Sequence, residues 1–517
     1  MDPQTAATLG DMIEANAVKY PEQTAFVWQD RRVTHAEFRD RAARLASALA
    51  RLGLRRQDRV AILSQNRLEY HEFYGAIELS GLIAATVNWR LAVPEMLHII
   101  GDGGAAVLIY EADYAEAVAE MQPQLPKVEH YVCIDGPDGE AQGYEALLAT
   151  GDPDDLPYRA RPEDIVYLIY TSGTTGKPKG VMLTQEGSVA GAEILGSDQR
   201  NGPDDRLLIM MPLFHIGAKI IQNAQHWRAG TVVVQRGFDP LAVLRTLEDE
   251  KITVTHMAPT MIQTLLEAPE VATTDLSHLR MVVYAAAPMP LTVLRKGLKL
   301  MGPVFQQQFG QTEGPGTTLL THQHRPDGTD RDREILGSVG QPSPRVGVKI
   351  VDDDGNEVAQ GDVGEILLTS PARMKGYWNN HGATLDTLRD GWVHTGDMGR
   401  LDHEGFLYLV DRKKDMVISG GENIYSREVE EALMHHPAVY EAAVIAVSDH
   451  KWGEAVKAIV SLRKGVAPLT AEELIAHCRT RIASYKKPRH VQFVEEIDKL
   501  PNGKIDKVTL RRLYGAA

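Results

Sequence analysis

Short apolar runs of strand length alternate with segments of helical period through the first two-thirds of this chain, and that alternation limits its folds. Apolar or small residues recur at helical spacing from Phe38 through Ala42, Leu45 and Leu49 to Leu52, with Gly53 placed to stop the helix. Residues 59–63 and 106–110 are apolar runs of buried-strand length. The alternation continues from Ile165 to about Leu320, with strands predicted at 165–170, 231–234, 253–257 and 281–284. Strands separated by helices predict parallel sheets that bind ligands at the carboxyl ends of their strands. Gly101-Asp102-Gly103-Gly104 resembles part of a dinucleotide fingerprint but precedes a strand, so a loop is expected there.

From about Gly337 to Val410 the texture changes to short strands and frequent turns, as in Asp353-Asp354-Gly355-Asn356, which predicts a small all-β unit. Beyond Asp411-Arg412-Lys413-Lys414-Asp415, a helix is predicted over 427–436, ended by Pro437, then strands at 442–447 and 456–462. A second helix begins at the Thr470/Glu473 capping box, whose hydroxyl and carboxylate satisfy backbone donors reciprocally. This tail is a compact α/β piece expected to dock through a short hinge. At 517 residues the chain is long enough for about three or four structural units.

Net charge is −15, which argues against non-specific binding to nucleic acid or an anionic membrane. Cys133 and Cys478 stand far apart without a C-x-x-C, so a disulfide framework and a cysteine zinc site are not expected. His322, His324, His435 and His436 lack the carboxylate or cysteine neighbours that would argue for zinc. Met1-Asp2-Pro3-Gln4-Thr5 lacks a basic n-region, and no uncharged apolar run approaches the ~20 residues of a spanning helix. A cytoplasmic enzyme is expected.

Thr171-Ser172-Gly173-Thr174-Thr175-Gly176-Lys177-Pro178-Lys179-Gly180 follows the predicted strand at 165–170 directly. Glycines let backbone N–H groups approach a polyanion, hydroxyls add donors and lysines neutralise charge, so the segment reads as a phosphate cradle. It is not the G-x-x-x-x-G-K-[ST] loop, because Thr171 and Pro178 occupy positions that would need Gly and Ser or Thr. The plainer reading is a hairpin between two strands, since Val181-Met182-Leu183 resumes the apolar pattern. In Gln307-Gln308-Phe309-Gly310-Gln311-Thr312-Glu313, Phe309 is suited to stacking on a purine, Thr312 to donating to phosphate and Glu313 to holding a hard cation; a solvated turn is the alternative. No G-x-S-x-G elbow is present, so covalent hydrolysis is not indicated.

The Thr171–Gly180 segment resembles the signature loop of the adenylate-forming superfamily, which includes acyl-CoA synthetases, peptide-synthetase adenylation domains and luciferases. Further segments, as far as Lys504 near the C-terminus, resemble other motifs of the family. Gln307 to Glu313 is similar to Y-G-x-T-E, with Phe309 in place of the tyrosine; the resemblance implies adenine beside Phe309 and Gly310, and Mg²⁺ on Glu313. Upstream, Ala285-Ala286-Ala287-Pro288 stands where relatives carry the glycine-richer G-G-A-P that lines adenine. Trp392-Val393-His394-Thr395-Gly396-Asp397 resembles W-x-x-T-G-D, which implies that Asp397 holds the ribose; an Asx-turn is the alternative. Arg412 is implied to reach the ribose and Lys414 to be the hinge, against a solvated basic turn. Gly420 and Gly421 match a turn that lines the pantetheine tunnel, or form a tight hairpin. Lys504 matches the lysine of P-x-x-x-G-K that serves the first half-reaction, where a lone lysine after Asn502-Gly503 would be an exposed hairpin residue. Met211-Pro212-Leu213-Phe214-His215 resembles P-x-F-H, placing His215 near the acyl pocket, or else at a helix start.

The fold implied is α/β: a large N-terminal domain (1–413) of two βα-layered subdomains with parallel-rich sheets plus a small β-barrel-like subdomain, and a small mobile α+β C-terminal domain (414–517). The implied activity is an ATP-dependent carboxylic acid:CoA ligase that releases AMP and pyrophosphate, with ATP, Mg²⁺ and coenzyme A. Thr171, Lys179, Glu313 and Lys504 would carry the chemistry, the loop from Thr171 through Ser172, Gly173, Thr174, Thr175, Gly176 and Lys177 the phosphates, and His215 and Gln308 the acid. Gln308 stands where relatives often have a small residue, which points to a shorter, polar-bearing or aryl acid. The alternatives are an enzyme loading a carrier protein and a non-catalytic nucleotide sensor. No carrier domain is evident after Lys507, so free CoA is the simpler acceptor, in a monomer or homodimer.

Overall fold

The computed structural model describes residues 6–139, 141–171, 178–287, 289–419, 422–467, 469–500 and 504–515. By packing, the chain forms two units, Met1–Val348 with Leu368–Val393, and Lys349–Leu367 with His394–Ala517. The strands predicted in the first unit are present, and they fall into two sheets. One orders its nine strands from Gln341–Pro342 through Gly314–Leu319, Phe305–Gln311, Met281–Tyr284, Val254–Met257, Arg206–Ile209, Thr231–Val234 and Thr24–Trp28 to Arg31–Thr34. Its six central strands are parallel and both edges are antiparallel. In the second sheet, Ile165–Thr171 lies between Ile83–Thr86, to which it is parallel, and Lys179–Thr184, to which it is antiparallel.

The two sheets share one apolar core with the helices Leu9–Lys19, His35–Arg51 and Leu68–Ser80. Leu68–Ser80 is buried along its whole length, as a helix without a polar face must be. It nonetheless carries Glu78. That carboxylate meets Lys219 Nζ at 2.6 Å, and both side chains are nearly sealed from solvent. Tyr167 donates to the same carboxylate at 2.5 Å, Asn223 donates to the Tyr167 hydroxyl at 3.3 Å, and the ammonium lies 4.5 Å from the Tyr74 ring centre. A buried ion pair stands only when its desolvation is offset by such bonds, and removing one partner costs about 3–5 kcal/mol.

A sequence expectation changes. The Gly101–Gly104 segment is not a loop: it is the C-terminal turn of the helix Val93–Gly103, closed by Gly104 at φ +61°, a left-handed cap that favours glycine. Residues 179–184 pair antiparallel with 165–171, so the glycine segment joins two paired strands.

The second unit contains an antiparallel sheet ordered Glu422–Ile424, Val417–Ser419, Gly453–Leu462, Val439–Asp449, with His490–Val494 pairing in parallel to Gly453–Leu462. Helices Ser426–Met434 and Ala471–Arg479 share an apolar core with this sheet, and Leu510 of the helix Lys507–Tyr514 packs in a second cluster with it. The Thr470/Glu473 capping box is formed, with both reciprocal bonds present. Cys133 and Cys478 are buried free thiols. Among the described residues, no helix is long and apolar enough to cross a membrane.

Burial holds several first-unit histidines neutral. It lowers His71 to about 3, with Lys219 adding repulsion, lowers His256 and His324 to about 4, and takes His226 well below its usual value. A histidine whose folded pKa is depressed stabilises the fold above its unfolded pKa near 6.5, and that stability is lost as pH falls toward the folded value. Urea unfolding from pH 7.5 to 4.5 should therefore show stability falling below about pH 6.5, by about 1.4 kcal/mol per pH unit for each histidine that must stay neutral. A flat profile would mean these imidazoles are already accessible to protons in the folded state.

Candidate functional site

Thr171 and Lys179 are cross-strand partners at the mouth of the glycine hairpin. Ser172, Gly173, Thr174, Thr175, Gly176 and Lys177 lie outside the described residues, as do Pro288, Gly420 and Gly421. Gly180 permits close packing below the loop, because a Cβ there would lie 2.7 Å from Leu168 and 3.1 Å from the Tyr170 ring. The Lys179 ammonium stands 5.1 Å from the Tyr377 ring centre. Tyr377 in turn donates to Glu313 Oε1 at 2.7 Å. The strand Gly376–Tyr377 pairs with Val181 and Met182 of the glycine hairpin, while Met374 N–H donates to the Glu313 carbonyl at 2.8 Å. One short strand thus ties the predicted phosphate loop to the predicted metal carboxylate.

Tyr377 was not legible as a site residue. Its one local signal is Gly376, held at φ +145°, where a side chain would be strained. Burial, together with the Glu313 charge, raises the phenol pKa, so the hydroxyl remains a donor. Glu313 sits at the turn between Phe305–Gln311 and Gly314–Leu319 and is buried with Thr312. Mg²⁺ takes one or two carboxylates and completes its shell with water and substrate phosphates. A single oriented carboxylate beside a phosphate loop fits that demand. Among the described residues no group of three or more His, Cys, Asp or Glu side chains forms a protein cage for a metal.

Phe309 is half-buried, and Gly316 on the neighbouring strand makes room for it, since a Cβ there would lie 3.0 Å from its ring. Gly310 beyond it is exposed. Gln307 is buried on the Tyr284 side of the sheet, where the Tyr284 hydroxyl lies 3.4 Å from Gln307 Oε1 and 2.9 Å from His324 Nε2. His324 is therefore a bonded core histidine. Ala286 and Ala287 follow the strand Met281–Tyr284 at its carboxyl end and are exposed. Ala286 holds φ +72°, so an alanine here adopts the left-handed conformation that glycine occupies without strain.

His215 is the N-cap of the helix Ile216–His226: its Nδ1 accepts from Gly217 N–H at 3.1 Å. The helix-start alternative is thus the observed local role. The exposed imidazole also stands at one end of a row that includes buried His256, since a Cβ at Gly217 would lie 3.2 Å from His215 Nδ1 and 3.5 Å from His256 Cε1.

In the second unit, Asp397 and Arg412 are register partners on two antiparallel strands, and their side chains meet at 3.0 Å. Burial raises the Asp397 pKa, and the charges of Arg412 and Lys504 oppose that shift. The fold has therefore brought Lys504 within electrostatic reach of an aspartate far earlier in the chain. Lys414 is held through its carbonyl, 3.3 Å from the Arg511 guanidinium, which also meets Asp415 at 2.5 Å. Ser426, the first residue of its helix, donates through N–H and hydroxyl to Asp411, and Lys507 donates to the same hydroxyl at 2.7 Å. A separate basic and aromatic patch places Lys451 4.8 Å and Arg489 5.2 Å from the Trp452 ring; Lys487 feels the repulsion of Arg479 and Arg489.

Comparison with known proteins places residues 13–378 in the AMP-binding enzyme family and 428–504 in the AMP-binding enzyme C-terminal domain. The chain is 38% identical over 510 residues to a feruloyl-CoA synthase of Amycolatopsis, covering 98% of this chain and 99% of the relative. It is 34% identical to a fatty acid–[acyl-carrier-protein] ligase of Streptomyces coeruleorubidus, covering 98% and 97%. Among solved structures, an amide bond synthetase from Marinactinospora thermotolerans superposes with a TM-score of 0.89 at 32% identity, covering 98% of this chain and 100% of that one.

The Tyr377–Glu313 bond makes a measurable claim. Tyr377→Phe keeps the ring beside Lys179 but removes the donor that orients the carboxylate. The variant should need about threefold to tenfold more Mg²⁺ for half-maximal ATP binding, as expected when one hydrogen bond to a charged group is lost. An unchanged Mg²⁺ titration would show that Tyr377 only fills space.

Proposed function

The chain belongs to the AMP-binding enzyme family of the adenylate-forming superfamily, and from that premise we propose that it is an ATP-dependent carboxylic acid:CoA ligase. The observation that carries the reading is the buried Asp397 carboxylate, met by the exposed Arg412 guanidinium at 3.0 Å and lying in the field of Lys504. A nucleotide-binding module with no chemistry to perform has no need of that lysine.

In the first step the substrate carboxylate oxygen attacks the α-phosphorus of ATP. An O–P bond forms, the bond to the β-phosphate bridging oxygen breaks, and pyrophosphate leaves. No side chain becomes a covalent nucleophile. Thr171 and Lys179 hold the leaving phosphates, and Lys504 offsets charge on the reacting phosphorus, the preorganised electrostatics that often dominates catalysis. Mg²⁺ bound through Glu313 would neutralise the same oxygens as a Lewis acid. Asp397 accepts from the ribose diol, with Arg412 fixing its orientation. In the second step the CoA thiolate attacks the acyl carbonyl, and AMP departs with the electrons of the broken C–O bond. The exchange of steps is proposed to turn at Lys414, so that Lys504 serves only the first.

Free CoA as acceptor is supported by the Lys451, Trp452, Lys487 and Arg489 patch. An aromatic ring among cations suits the adenine and 3′-phosphate of CoA, which a carrier-bound phosphopantetheine lacks. An aryl or short to medium-chain acid is supported by the feruloyl-CoA synthase similarity and by Gln308. The carrier-loading alternative is favoured only by the likeness to the carrier-protein ligase, and thioester formation on CoA and on a carrier protein, measured side by side, separates the two.

Lys504→Ala should lower acid-dependent pyrophosphate release by about 10²-fold or more, the scale of losing one preorganised charge. Thioester formation from supplied acyl-adenylate should survive in that variant, and equal loss of both steps would refute the division of labour. Lys414→Pro should do the reverse. A locked φ there would stall the CoA-dependent step while adenylate formation continues. Normal overall turnover by Lys414→Pro would place the pivot elsewhere.

A further inference from the structure

Among the side-chain polar atoms of the first unit that are buried without a hydrogen-bond partner among the described residues, the sheet register sets three on one face. They are His256 Nδ1, Gln306 Nε2 and Gln308 Nε2. His256 pairs with Val283, and Val283 with Gln306, across three adjacent parallel strands, so His256 and Gln306 occupy the same row. Gln308 is two residues further along, on the same face and nearer the carboxyl end of its strand. Val254 and Val283 of that face belong to the core cluster that contains Ala218 and Ile221, so the face looks toward the helix Ile216–His226. His256 itself lies against the first turn of that helix, at Gly217. Gln306 is 1% and His256 8% exposed. The opposite face is different in kind, because there Tyr284 and His324 bond each other and Gln307 lies beside them.

A buried amide N–H₂ left unpaired costs about 1–3 kcal/mol, so such groups are rare without a reason. Here two of them on one strand, with an imidazole nitrogen two strands away, stand on one sheet face. We propose that this row is the recognition surface for an oxygen atom on the acyl body of the acid, a hydroxyl, carbonyl or ether oxygen, which accepts from Gln306 and Gln308. The inference rests on the ligase reading for the existence of an acid pocket. It deepens that reading by making the favoured acid oxygen-bearing and not purely hydrocarbon. A site built to satisfy such an oxygen discriminates against the analogue lacking it, because the amides then remain unpaired.

The test uses the full chain and stable acyl-sulfamoyl-adenosine mimics of two acid pairs: 3-phenylpropenoyl against 3-(4-hydroxyphenyl)propenoyl, and hexanoyl against 6-hydroxyhexanoyl. Calorimetric Kd values should favour the oxygen-bearing member of at least one pair by about tenfold or more. Gln306→Met and Gln308→Met, which keep side-chain length, should each cut that ratio several-fold, and ligand-free Gln306→Met should melt no lower than the parent. Equal Kd values within both pairs overturn the proposal, as does a ratio that survives both substitutions. A melting point lowered in Gln306→Met with the ratio intact also overturns it, since the amide would then be structural. CoA thioester formation is measured alongside. Discrimination without turnover upholds the recognition surface while sinking the ligase reading, and turnover without discrimination does the opposite.

Discussion

The ion pair between Glu78 and Lys219 sets the frame of the first unit. It joins the buried helix Leu68–Ser80 to the helix Ile216–His226 and, through Tyr167, to the strand that ends at Thr171. Lys219 is one helical turn after His215, and Tyr167 is four residues before Thr171. A rotation of the helix about its axis would pull the ammonium from the carboxylate and the ring that it meets in the interior. The helix Ile216–His226 and the strand Ile165–Thr171 are thereby held in one relation. An apolar replacement of the pair could pack as well, but it would permit sliding that directional bonds do not.

Each unit arranges its charged side chains in its own way. In the first, Glu313 is buried at a hairpin turn and steadied by Tyr377, whose ring lies beside Lys179. A carboxylate and an ammonium are thus separated by one aromatic side chain and do not neutralise each other directly. In the second, Asp397 and Arg412 do pair directly, with the carboxylate buried and the guanidinium exposed. The segment around Lys414 is bounded by Arg511, which binds its carbonyl and the Asp415 carboxylate. Both are polar bonds at the position proposed as the hinge.

Much of this was legible in the chain because the local rules act locally. Strand-length runs at 231–234 and 281–284 became strands of those bounds, and the Thr470/Glu473 box capped its helix as its chemistry requires. The failures were equally local. Gly101–Gly104 looked like a loop because glycine-rich stretches usually are, yet a single left-handed glycine closing a helix uses the same residue type. His215 offered two roles from sequence, and its cap bond to Gly217 could be seen only once the helix start was placed. Tyr377, Gln306 and His256 carried no motif, and their meaning comes from neighbours that are remote in sequence.

Sequence alone determined the family and the order of its motifs, since the glycine loop and the segments around Glu313, Asp397 and Lys504 are each legible within a few residues. The tertiary structure decided what stands beside what. It put a phenol on Glu313, brought Lys504 to Asp397, set a strained alanine at Ala286 and lined one sheet face with unpaired amides. The physical reason is that motif chemistry is written within a few residues. Burial, register and electrostatic reach exist only between segments that the fold has already packed together.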